Sequence, residues 1–134
     1  MSESTNPAVP TLFEEIGGLH KIKEIVDQFY DLMELDPQFA ELRKLHPNQL
    51  DTSREKLTMF LSGWTGGPNL YIEKYGHPKL RARHLPFPIN LEMRDQWLRC
   101  MGQAMVDLDL PEPLWERLLK AFYETADWMR NQAN

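Results

Sequence analysis

The stretch Gly76-His77-Pro78-Lys79-Leu80-Arg81-Ala82-Arg83-His84-Leu85-Pro86-Phe87-Pro88-Ile89 ends a short basic segment on one histidine, His84. Two prolines then bar a helix from running on. A neutral imidazole beside an apolar Phe-Pro-Ile edge suits an axial ligand for the iron of a flat cofactor. The same histidine would equally suit an exposed basic turn or a helix C-terminus. His77 lies seven residues before His84, but Pro78 stands between them and breaks the helical face that a zinc pair would share.

A second group of residues could do chemistry together. Phe29, Tyr30, His46, Phe60, Trp64, Phe87 and Trp97 all fall on faces expected to point inward. Core packing accounts for aromatics at helical spacing. Buried Tyr O–H and Trp N–H groups also need partners, so two of them on facing helices would suit a polar pocket. Common catalytic signatures are missing: there is no G-x-x-x-x-G-K-[ST], no H-E-x-x-H and no G-x-S-x-G. Gly66-Gly67-Pro68 has no following Lys-Ser/Thr and reads as a turn.

These residues sit in a chain of 134, enough for one domain with a sizeable core. Apolar residues make up 42%, charged residues 26%, and the net charge is −5. That balance argues against nucleic acid or an anionic membrane surface as partner. No apolar run approaches the roughly 18 residues of a membrane span. Residues 1–7 carry neither a basic nor an apolar leader region, and the one cysteine, Cys100, permits no intramolecular disulfide. A reducing cytoplasm is the expected setting, with Cys100 an ordinary packed helix residue.

The elements that must position the site are all helical. Residues 1–9 are polar and read as a loose arm, and a domain spans 10–132. Thr11 and Glu14 have capping-box spacing for a stub over 12–16, which Gly17-Gly18 ends. From Leu19, apolar positions Ile22, Ile25, Val26, Phe29 and Met33 mark one face of a helix to about 34. Asp36-Pro37 opens a short helix through Phe39, Leu42 and Leu45. Asp51 or Thr52 is expected to cap a helix over 52–64 whose inward face is Ser53, Leu57, Phe60, Leu61 and Trp64.

Between 65 and 89 breakers allow only single turns, at 70–75 and 79–84. Asn90 caps a long helix carrying Met93, Trp97, Met101, Ala104, Met105 and Leu108. A last helix, 112–130, carries Leu114, Leu118, Ala121, Phe122, Thr125 and Met129. No alternating strand pattern or repeat occurs.

Read in order, Phe29-Tyr30, Phe60-Leu61, Gly66-Gly67-Pro68, Gly76-His77-Pro78, Leu80-Arg81, Arg83-His84, Pro86-Phe87, Arg94-Asp95, Trp97-Leu98 and Cys100-Met101 resemble the group II truncated haemoglobins, with matching spacing across about residues 11–130. The resemblance implies an all-α globin fold, a two-over-two helical sandwich with a short first helix and a proximal helix reduced to a turn. It implies haem b (iron protoporphyrin IX) with His84 as the proximal metal ligand. Lys56, Arg81 and Arg83 would neutralise the propionates. Leu57, Phe60, Leu61, Tyr71, His77, Leu80, Phe87, Ile89, Trp97 and Met101 would also contact the cofactor.

On the distal side the resemblance puts Tyr30, His46 and Trp97 against the bound ligand, with Ser53 where other globins keep a distal histidine. His46 departs from the tyrosine or phenylalanine frequent at its position, so donation to ligand, to Tyr30 or to water all stay open. The implied function is binding of O2, NO, CO or peroxide, with redox detoxification of nitric oxide or peroxide fed by an electron donor. Oxygen storage or supply is the second reading and a sensor acting through an unseen partner the third; outside the resemblance, a haem-free helical interaction module whose aromatics are simply core is the remaining alternative. The chain would be a monomer, or a homodimer seeded by an exposed Trp64 or Trp115.

Overall fold

Caps and breakers set the order of the elements. The structure, a computed structural model, describes residues 9–131, so the expected arm over 1–9 lies outside the described residues except for Val9. Helix α1, Leu12–Ile16, opens with the expected capping box. Thr11 Oγ1 accepts from the Glu14 N–H at 3.1 Å, and Glu14 Oε1 accepts from the Thr11 N–H at 2.9 Å. Gly17 ends it at φ 118°, a left-handed geometry that suits glycine. Helix α2, Gly18–Leu35, follows directly and buries Ile22, Ile25, Val26, Phe29, Tyr30 and Met33.

Asp36 accepts from the Gln38 N–H and caps a 3₁₀ turn, Pro37–Phe39, that leads into α3, Ala40–Lys44. Helix α4, Asp51–Trp64, departs from expectation at its start. Neither Asp51 nor Thr52 caps it; Leu50 occupies the cap and no side chain bonds there. Leu50 is buried in the core, and its carbonyl accepts the Arg54 N–H at 2.8 Å. Burial of that side chain fixes where the helix begins, and Asp51 falls in the first turn, where a carboxylate favours the helix N-terminus.

Two short helices then bridge the breaker-rich stretch: α5, Leu70–Tyr75, and α6, Leu80–His84. Asn90 Oδ1 accepts from the Met93 N–H at 3.0 Å and starts α7, Leu91–Asp107. Helix α8, Glu112–Trp128, has Pro113 in its first turn and stops two residues before the expected end at 130. Among the described residues there is no strand, and no helix is long and apolar enough to cross a membrane.

The long helices pack as α2 on α4 and α7 on α8, with α2 also crossing α7, which is the two-over-two arrangement. Their shared core holds Val26, Phe29, Cys100, Met101 and Ala104 with no exposed surface. The Cys100 thiol donates to the Phe29 carbonyl at 3.2 Å, and burial pushes its pKa up to about 12, so it is an inert packing residue. Arg54 ties α4 to α2 by bonding Asp31 at 2.8 Å and Asp27 at 3.3 Å. Burial works to raise the Asp27 carboxyl, but its bonds from Lys23 and Arg54 outweigh that and hold it below the ordinary value. Trp64 and Trp115 are both half-buried and pack against the core.

Helix α1 docks on the turn after α4, where the Phe13 N–H donates to the Thr65 carbonyl at 2.9 Å. A Cβ at Gly67 would collide with the Phe13 ring. Gly67→Ala is therefore expected to destabilise the protein by about 1–3 kcal/mol, the range for overpacking. Urea unfolding followed by circular dichroism measures it, and an unchanged midpoint would show that Phe13 moves aside freely.

Candidate functional site

Side chains from α2, α3, α4, α5, α6, α7 and α8 surround one cavity of about 400 Å³. His84, at the end of α6, lines it. The His84 Nδ1 lies 2.7 Å from the Leu80 carbonyl, one turn back. A carbonyl only accepts, so Nδ1 carries the proton and Nε2 keeps its lone pair for a metal. Of the other residues expected on this side, Leu80, Arg83, Phe87 and Ile89 line the cavity too.

The opposite wall comes from α2, α3 and α7. Tyr30 is 5% exposed, and its hydroxyl has no hydrogen-bond partner among the described residues. Burial pushes its pKa well above the ordinary phenol value, so it holds its proton and can donate it in a hydrogen bond. The Trp97 indole N–H likewise has no acceptor among the described residues. Its ring is fixed by Phe29, with centroids 5.2 Å apart, and by Phe122 at 5.3 Å.

His46 sits edge-on to Tyr30, ring centroids 5.8 Å apart. Its loop is held by Arg43, which donates to the Pro47 and Asn48 carbonyls, and α3 is tied to α7 by the Leu42 N–H donating to buried Gln96. His46 Nδ1 lies 3.0 Å from the Leu42 carbonyl and must donate to it. Burial lowers the His46 pKa; the bond to Leu42 opposes this, while Arg43 and His84 add to it. Neutral His46 therefore offers an acceptor at Nε2.

Lys56, Leu57, Phe60, Leu61 and Tyr71 complete the expected lining from α4 and α5, with Ser53 at the same wall. Three expected contacts are not brought to the cavity. Arg81 turns outward, its guanidinium 5.4 Å from the Trp128 ring centroid. His77 is exposed and accepts the Lys79 N–H at 3.1 Å. Met101 is packed inside the α2–α7 core. Sequence motifs also left lining residues without a role: Leu45, Met93, Arg94, Thr125 and Met129. Met93, Thr125 and Met129 fall on faces that the periodicity marks as inward, so the signal was there.

The residues present fit a haem: a largely apolar slot, one imidazole nitrogen with a free lone pair, Lys56 and Arg83 to meet carboxylates, and orphaned donors opposite. Among the described residues no cluster of three or more His, Cys, Asp and Glu could hold a bare ion. An all-helical two-over-two sandwich around such a slot defines a globin. A family model for bacterial-like globins matches residues 11–131. The group 2 truncated hemoglobin YjbI of Bacillus subtilis is 39% identical over 98% of this chain and 94% of its own.

Among solved structures, the group II 2-on-2 haemoglobin of Agrobacterium tumefaciens aligns with a TM-score of 0.90 at 38% identity, covering 96% of this chain and 99% of that one. A truncated oxygen-avid haemoglobin from Bacillus subtilis aligns at 0.83 with 38% identity, over 91% and 100%. The chain belongs to the group II truncated haemoglobins. Membership implies haem and iron binding and diatomic ligands such as O2.

Buried His46 has a pH signature in the haem-free protein. Its folded pKa lies below the ordinary 6.5, so below that pH the unfolded chain binds a proton that the folded one refuses. Stability is thus lost as pH falls through 6.5. His46→Phe removes this loss, and urea titrations between pH 7 and 5 should show the variant gaining on the wild type. Parallel curves would mean that His46 titrates alike in both states.

Proposed function

We propose that the chain holds haem b in this cavity with His84 Nε2 as proximal ligand, and that it retains O2 tightly and turns over nitric oxide or peroxide with electrons from an external donor. When bound, the haem supplies an iron that takes up diatomic ligands and exchanges electrons. The observation that carries the reading is the buried Tyr30 hydroxyl. It lines the same cavity as His84 and has no partner among the described residues.

Tyr30 keeps its proton and so donates a hydrogen bond to a ligand that bears partial negative charge. Trp97 offers a second donor. Hydrogen bonds to charged groups contribute about 1.5–3 kcal/mol each. Two of them, if additive, correspond to roughly a hundredfold or more in retention. Neutral His46 can accept a proton at Nε2 from a peroxide-type ligand and return it, which is the general acid–base help that O–O cleavage needs. Apolar Leu57, Phe60 and Leu61 limit water around these groups. Similarity to an oxygen-avid haemoglobin supports tight retention.

Two experiments test this. In the haem-loaded protein, Tyr30→Phe should speed O2 dissociation by about tenfold or more, one charged hydrogen bond's worth. Stopped-flow displacement by CO reads the rate, and fast release by the wild type would favour storage or supply. His84→Ala should lose the Soret band that shifts on adding CO to the reduced protein. A colourless wild type after haemin reconstitution would sink the reading.

A further inference from the structure

The helix that carries His84 is weakly anchored by its own packing. No residue of α6 is buried, and it starts from Lys79 in the left-handed region at φ 49°. Something outside α6 must hold it, and Asn131, three residues beyond the end of α8, does so. Asn131 makes four hydrogen bonds to the last residue of α6 and the segment after it. Its Nδ2 donates to the His84 carbonyl at 3.2 Å and to the Phe87 carbonyl at 2.8 Å. Its Oδ1 accepts from the Ile89 N–H at 3.0 Å, and its own N–H donates to the Ile89 carbonyl at 2.9 Å.

The partners fix the amide orientation without ambiguity, because two carbonyls must face the NH₂ and an N–H must face the oxygen. The His84 carbonyl is one of the C-terminal carbonyls that a helix cannot satisfy within its own turns. The Phe87 N–H meets it at 3.0 Å, and Asn131 adds the second donor. The residue before Asn131, Arg130, is tied back to α8 and through it to α7. Arg94 on α7 bonds Asp127 on α8 at 2.7 Å, and Asp127 also accepts from Arg130 at 3.2 Å. The chain from α7 through the end of α8 to the proximal turn is therefore continuous.

We propose that Asn131 is a positioning residue for His84: it clamps residues 84–89 to the end of α8 and so sets how the imidazole is presented to the cavity. The imidazole's rotation is fixed locally by Leu80, while the place of its backbone is fixed by Asn131. The inference rests on His84 being the proximal ligand. It adds a residue 47 positions away that does not line the cavity.

Asn131→Ala removes three of the four bonds and keeps the main-chain bond to Ile89. Asn131→Asp keeps the acceptor for the Ile89 N–H but turns a carboxylate oxygen toward two carbonyls, and should do more damage. In the haem-loaded protein, transfer of haem to excess apomyoglobin should be about tenfold faster in Asn131→Ala, the equivalent of one net hydrogen bond. Resonance Raman of the reduced, ligand-free protein should show the iron–histidine band broadened and shifted in both variants.

Gly67→Ala, which disturbs the fold at α1, should leave that band where the wild type has it. Wild-type bands in both Asn131 variants would overturn the proposal, and so would an equal shift in Gly67→Ala. A wild type with no His84-dependent band would overturn the ligation reading and this inference with it. A normal wild-type band with silent Asn131 variants would overturn the clamp alone.

Discussion

A chain this short must hold open a hollow of about 400 Å³ without collapsing into it. Apolar side chains around such a hollow lack the neighbours that a closed core would give them. The constraint shapes everything else. Helices cannot close on one another at the cavity, so they are braced from behind: Val26, Phe29, Cys100, Met101 and Ala104 form a core with no exposed surface along the α2–α7 crossing. Any occupant that binds only the folded chain offsets the cost directly, which couples haem uptake to folding.

The two walls of the cavity answer the constraint differently. The distal wall is built from long helices with deep packing. Tyr30 is seated beside Phe29, and Trp97 lies between Phe29 and Phe122, whose other face stacks on Trp64 at 4.7 Å. The proximal wall has little packing of its own and is held by hydrogen bonds to main-chain atoms at Leu80, Phe87 and Ile89. Packing fixes side chains by volume; hydrogen bonds fix a backbone path by direction. A ligand pocket that must keep donors at set places benefits from the first. An imidazole proposed to meet a metal along one direction benefits from the second.

Local chemistry was legible in the sequence, and distant partnership was not. Thr11 with Glu14, Asp36 with Pro37, and Asn90 each act within three residues, and each caps its helix as the spacing predicts. The face of α4 was also legible, because periodicity survives an uncertain start. Polar residues at 51 and 52 suggest a cap there, whereas the burial of Leu50, set by tertiary packing, puts the cap at 50. Arg81 shows the same limit. Its neighbour Arg83 lines the cavity while Arg81 turns to Trp128, 47 positions on. Asn131 follows a helix whose periodicity had already ended, and nothing nearby marks its partners at 84, 87 and 89.

His46 changes what the distal wall can do, and the reason lies in one hydrogen bond. A tyrosine there would bring a hydroxyl that donates or accepts; a phenylalanine would bring neither. His46 spends its Nδ1 proton on the Leu42 carbonyl, and burial holds it neutral, so its remaining nitrogen accepts. The wall then carries two donors, Tyr30 and Trp97, and one acceptor. Donors alone would hold a negatively charged ligand and keep it. An acceptor 5.8 Å from the Tyr30 ring, centroid to centroid, adds a place for a proton to rest. Protonating His46 would convert that acceptor into a third donor, at the cost of charging a buried ring beside Arg43 and His84. Storage would use the donors alone, and the acceptor at His46 is what the proposed turnover of nitric oxide or peroxide adds to them.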